Sequence, residues 1–296
     1  MSREHIYLEE EYPSPIKQLW STFKNSPIIF TSFCCYVALL LLAVFGPFIT
    51  PHPSLEISEF LLLPPAWDAT GNISYLLGTD DLGRDMLSRL IHGTSFTFGL
   101  SFVVVIFAML IGVVIGSFSA LTRGVKSSFL THFLDVVLSI PSLLLAIIVV
   151  AILGKGLENI LWAIALVLIP QFVHITRNAI KEEQEKSYVL IPILDGASEL
   201  RVLITAIYPN IIDKIIIQAT LAQSAAILDI AALGFLGLGA PIPLPEWGAM
   251  LASSLDLFYI APWTTYLPGL AILVTVLVTN VLGEGLRHSL KLQKDN

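Results

Sequence analysis

The sequence predicts an all-α polytopic membrane protein with about six transmembrane helices. Three observations carry that expectation. Of 296 residues, 55% are apolar and only 13% are charged, against about a quarter charged in an average soluble domain, and mean hydropathy is +0.80. Six stretches reach the roughly 20 apolar residues that a spanning helix needs. The lysines and arginines then fall on alternate connections between those stretches, as the positive-inside rule requires.

The first span is read at Ile28–Ile49 as an uncleaved anchor, because no A-x-A-like cleavage site follows it. Its adjacent Cys34 and Cys35 are packing residues, since neighbouring cysteines rarely pair. A proline-rich loop over 50–93 leads to the second span, Thr94–Leu121, whose Gly112 and Gly116 have the spacing that lets helix backbones approach closely in lipid. The third span, Phe129–Leu153, contains Pro141, which would bend it and could shape a cavity. The fourth is Leu157–Ile175. The fifth, Ile215–Gly239, is the least apolar, with Gln218, Gln223 and Asp229 inside it. The sixth is Thr264–Leu286, and 288–296 forms a short tail.

With the N-terminal segment 1–27 placed inside, the inner segments hold Arg3, Lys17, Lys24, Arg123, Lys126, Arg177, Lys181, Lys186, Arg201, Lys214, Arg287, Lys291 and Lys294. The outer segments hold only Arg84, Arg89 and Lys155. Both termini are therefore expected in the cytoplasm. Trp67, Trp162, Trp247 and Trp263 fall at expected outer membrane ends, where interfacial anchors belong.

The chain carries no P-loop, no G-x-S-x-G and no H-E-x-x-H. It is expected to be no enzyme, to use no cofactor and to bind no metal through its six scattered histidines. A net charge of −7 without a basic cluster argues against nucleic acid. The inner connection 176–214 is far longer than the 2–8 residues that join ordinary bundle helices. It reads as a polar helical segment, a glycine break, a second short helix and a proline stop, which suits a docking surface.

That connection resembles the cytoplasmic EAA loop of binding-protein-dependent ABC transporter permeases. Gly196 and Pro209 keep the family's glycine-to-proline spacing, and Tyr188-Val189 and Gly196-Ala197-Ser198 match the peptide-transporter form. Leu190-Ile191-Pro192 replaces the Glu-Ala-Ala, and Asp195 replaces an apolar residue. Leu77-Gly78-Thr79-Asp80-Asp81-Leu82-Gly83-Arg84-Asp85, Leu233-Gly234-Phe235-Leu236-Gly237-Leu238-Gly239 with Pro245-Glu246-Trp247-Gly248, and Asn280 to Arg287 resemble signatures of the oligopeptide, dipeptide and nickel permeases. Within that family the chain is similar to the Sap-type peptide permeases.

The resemblance implies a type I importer-like transmembrane domain that moves peptides, cationic antimicrobial ones among them, across the inner membrane. It implies a second homologous permease, two cytoplasmic ATP-binding subunits and a periplasmic solute-binding protein as partners, with lipid around them. Polyamines or other small cations are an alternative cargo, and an ion-driven secondary transporter or a membrane scaffold are rivals. Tyr188, Asp195, Gly196, Ala197, Ser198 and Pro209 would couple to the ATPases. Asp229, with Asp135 and Pro141, is a candidate lining of the path, although a buried carboxylate can equally serve as a cap or partner inside the bundle. Asp80, Arg84, Asp85, Glu246 and Trp247 are candidates for periplasmic contact; the bland alternatives are a turn, a cap and an Arg84–Asp85 ion pair.

Overall fold

A computed structural model describes residues 26–122, 125–241 and 243–295. The expected N-terminal segment, apart from Ser26 and Pro27, lies outside the described residues, as do Arg3, Lys17, Lys24 and Arg123. Among the described residues every regular element is a helix, and the one β-bridge joins Thr79 to Asp85.

The helices are α1 (Pro27–Ile49), α2 (Met86–Leu121), α3 (Val125–Leu138), α4 (Ser142–Leu153), α5 (Leu157–Gln184), α6 (Ser187–Leu194), α7 (Glu199–Phe235), α8 (Trp247–Ser253) and α9 (Trp263–Asp295). Five of them, α1, α2, α5, α7 and α9, are long and apolar enough to cross a membrane. The third expected span is broken: α3 and α4 meet at 94° across Ser139-Ile140-Pro141. Pro141 has no N–H to continue the ladder of α3, and it instead stands at the N-cap of α4. The pair makes a sixth span only if its two halves are counted as one.

Several expected boundaries shift. α2 begins at Met86, so the preceding loop ends at Asp85, not at residue 93. Asp85 sets that start by capping the helix, its carboxylate accepting from the Ser88 amide at 2.9 Å. α5 runs on to Gln184, and α7 starts already at Glu199, so most of the long connection is helical extension of the spans. The proline stop does not occur. Pro209 sits directly after a π turn, Leu203–Ile207, where the widened hydrogen-bond pattern absorbs the missing donor, and α7 continues to Phe235. α9 likewise continues through the expected tail to Asp295.

The core forms where α2, α4, α5 and α7 meet, around Val105, Ala108, Ala146, Ile164, Phe172, Ala226 and Ile230. The Gly112/Gly116 pair explains the tightness of α2 on α5. A Cβ on Gly112 would stand 2.3 Å from the Cβ of Phe172, and one on Gly116 would stand 2.8 Å from the carbonyl oxygen of Val173. α1 packs at the periphery, on α9 and α2, and buries only Ser32 and Gly46; Cys34 and Cys35 are exposed and free. A bond from the Tyr36 hydroxyl to Gln223 Oε1, 2.5 Å long, ties α1 to α7.

Candidate functional site: a docking turn, a broken helix and a buried brace

Three regions hold the residues singled out above. The first is the turn between α6 and α7. Gly196 has φ +83°, a left-handed conformation that glycine adopts without the cost of a Cβ. Asp195, Gly196 and Ser198 are exposed, Ala197 is half-buried, and the Ser198 hydroxyl accepts from the Arg201 amide to start α7. Pro209 is exposed near the same end of the bundle. α6 is seated by Val189, fully buried, and by Glu183, which receives Lys186 Nζ at 2.7 Å and the Tyr188 hydroxyl. Its other face shows Leu190, Ile191, Ile193 and Leu194, the last 85% exposed. An exposed apolar face rimmed by polar residues is the kind that marks protein or membrane contact.

The second region is the break between α3 and α4. It borders a half-open cavity of about 270 Å³ lined by Ser139, Ile140, Pro141, Ser142, Val167 and Gln171 among others. Asp229, buried on α7, faces Ser142, the first residue of α4. Asp229 and the Pro141 break are thus brought together, as grouped from sequence. Asp135 is not brought to them: its carboxylate lies 4.0 Å from His174 Nδ1, both side chains well exposed. Gln171, His174 and Asn178 follow one another at spacings of three and four along one face of α5, and His174 Nε2 meets Asn178 Nδ2 at 2.9 Å. The sequence reading missed this polar row; its signal was that same spacing running across the end of the fourth apolar span.

The third region gathers the signatures of 77–89 and 233–264. Asp80, Arg84, Asp85, Glu246 and Trp247 are all buried, so they have no face to offer a partner in this structure. The expected Arg84–Asp85 pair does not form. Arg84 Nε instead binds Asp80 at 2.7 Å, Arg89 Nε approaches the same carboxylate at 3.4 Å, and Asp85 is the cap described above. Glu246 caps α8 by accepting from the Gly248 and Ala249 amides, each at 2.8 Å, and from the Thr97 hydroxyl at 3.1 Å. Burial pushes its carboxyl up, and those three donors pull it back. Thr97 reaches Glu246 from the π turn Ser95–Gly99 of α2 and also accepts from the Trp247 amide. Trp247 Nε1 donates to Leu90 O, and Trp263 Nε1 donates to Thr79 O. Of the four tryptophans expected as interfacial anchors, Trp67 and Trp162 are exposed, whereas Trp247 and Trp263 are internal braces.

Residues 112–291 match the family described as "Binding-protein-dependent transport system inner membrane component", and residues 14–65 match the "N-terminal TM domain of oligopeptide transport permease C". The "Peptide transport system permease protein SapC" of Salmonella typhimurium is 46% identical over 98% of this chain and 98% of its own length. The "Dipeptide transport system permease protein DppC" of Escherichia coli K12 is 40% identical over 94% and 93%. A solved structure of the MetNI methionine ABC transporter in an inward-facing conformation has a chain of the same fold, with TM-score 0.56 and 18% identity over 69% of this chain and 97% of that one.

Proposed function

The chain belongs to the family of binding-protein-dependent transport system inner membrane components, and from that premise we propose that it forms one half of the path of an ATP-driven peptide transporter, beside a second homologous permease. It is a multi-pass inner-membrane subunit whose assembly includes ATP-binding subunits and a substrate-binding protein. The observation that carries the path is the α3–α4 break. Backbone freed from its ladder at membrane depth is tolerated where protein buries it or water reaches it, and here it opens on a cavity one of whose lining residues, Ser142, faces the buried Asp229. Peptide cargo is supported by the names of the relatives, and the exposed face of α6 with the Gly196 turn supports docking of the ATPases at that end.

The test is ATP-dependent uptake by the complete complex in proteoliposomes, with a cationic and a neutral peptide compared. Asp229→Asn keeps an acceptor for Ser142 and removes the charge. It is expected to leave assembly intact and to weaken cationic uptake by roughly tenfold relative to neutral uptake, the scale of one partly desolvated charge contact. Equal loss for both cargoes would make Asp229 structural. Uptake of a polyamine in place of either peptide would favour the small-cation reading, which the same carboxylate could serve.

The basic-residue asymmetry supports a topology with both termini in the cytoplasm. A cysteine at Ser74 is then expected to react with an impermeant reagent from the periplasm and one at Ser127 to be protected. Periplasmic labelling at Ser127 would reverse the topology.

A further inference from the structure

A peptide whose side chains vary offers one constant feature, its amide backbone. We infer that Gln171 on α5 and Gln218 on α7 form a hydrogen-bonding station for the backbone of an extended peptide, beside the opened backbone of the α3–α4 break; this rests on the permease reading above. Gln218 Nε2 reaches Gln171 Oε1 at 3.4 Å, beyond the usual range of about 2.7–3.2 Å for an N–H···O bond. Each carboxamide has two donors and an acceptor oxygen with two lone pairs, so this weak contact leaves most of their capacity free. Both side chains are half-buried, which keeps them within reach of a cargo while limiting competition from water.

The surroundings suit an amide ligand. Gln171 lines the 270 Å³ cavity together with Ser139, Ile140, Pro141 and Ser142. That volume lies just below the range of about 300–1,000 Å³ typical of small-ligand sites, so it admits a short stretch of peptide, not a whole one. The ladder of α3 stops at Ile140, where the amide bonds back to Val137 and not to the carbonyl four residues earlier. Among the described residues, the carbonyls of Leu138, Ser139 and Ile140 receive no backbone amide at this bend, whereas that of Pro141 already accepts from the Leu145 amide at 3.1 Å. Neutral donors and acceptors on both sides of the cavity complement a peptide group, whichever side chains it carries. Asp229 lies next along this line through Ser142, so backbone and charge are read by separate groups.

The probes are tetra-alanine and its counterpart N-methylated at the internal amides, in ATP-driven uptake by the complete complex in proteoliposomes. The unmodified complex is expected to show the lower KM for tetra-alanine. Gln171→Leu and Gln218→Leu are each expected to raise that KM roughly five- to tenfold, the scale of one lost hydrogen bond, with kcat and the N-methylated peptide little changed. Gln171→Asn is expected to recover part of the loss. Equal effects on both peptides, or a fall in kcat alone, would reduce the pair to helix packing and overturn the inference. Loss of the companion permease on pull-down would place the cavity at a subunit seam and also overturn it. No ATP-driven uptake of either peptide by the unmodified complex would overturn the peptide reading itself, and this inference with it.

Discussion

Replacing Asp80 by asparagine is expected to release the loop 50–85 from the bundle. Arg84 and Arg89 are 7% and 4% exposed, and both are directed at the Asp80 carboxylate. Asp81 touches Arg84 only at 3.9 Å and is half open to solvent. Asp80 also accepts from the Leu82 and Arg84 amides and so shapes the turn that leads into α2. Removing one partner of a buried ionic group leaves uncompensated charge, at a cost of about 3–5 kcal/mol. Limited proteolysis of the detergent-purified protein reads this directly, since cleavage tracks the population of the open loop. Asp80→Asn should be cut at least a hundredfold faster than Glu56→Gln, a change at an exposed position of the same loop. Apolar replacement of Asp80, Arg84 and Arg89 together should recover much of the protection. Unchanged cleavage of Asp80→Asn would show that something else holds the loop.

The second large effect is expected at Gly196. A Cβ there would meet no atom within 4 Å, so a substitution acts through the left-handed backbone and not through a clash. Valine is poorly tolerated in that conformation and aspartate is among the better-tolerated residues, against a general cost of about 1–2 kcal/mol. Gly196→Val should therefore leave membrane insertion unchanged while tilting α6 and displacing its exposed leucines and isoleucines. Pull-down of the ATPases and cargo-stimulated ATP hydrolysis are expected to fall at least about tenfold. Gly196→Asp should do less, its effect coming mainly from the added charge on the docking face. Full retention of pull-down and stimulation in Gly196→Val would remove this turn from coupling.

Five spans were legible because each is an apolar run of sufficient length, and in the third run Pro141 announced the break. The ends of the helices were not. Hydropathy marks where lipid begins, but α2, α5 and α7 continue as helices beyond the apolar run, so Met86, Gln184 and Glu199 carried no composition signal. Pro209 misled because a proline reads as a stop unless a π turn precedes it, and nothing in Leu203–Ile207 announces one. The site was legible in part. Asp229 stood out as a carboxylate in a span, and its proximity to Pro141 is a long-range contact that the structure supplies. Asp80, Arg84, Glu246 and Trp247 stood out as motif residues, but motif matching does not separate a surface contact from an internal brace. Burial does, and all four lie inside.

The close backbone contact of α2 with α5 has a mechanical consequence. Two helices in contact at Gly112 and Gly116 have no side-chain layer to shear, so they form one stiff strut. At one end of that strut Glu183 grips α6 through Lys186 and Tyr188. Towards the other end, in the π turn of α2, Thr97 grips the Glu246 cap of α8. α2 alone is about 54 Å long at 1.5 Å per residue. Thr97 lies about 36 Å along α2 from Leu121, so a tilt of ten degrees at the α6 end would swing it by roughly 6 Å. Distance along the strut thus acts as gain: a small stroke at the Gly196 turn would arrive as a larger displacement at the buried brace.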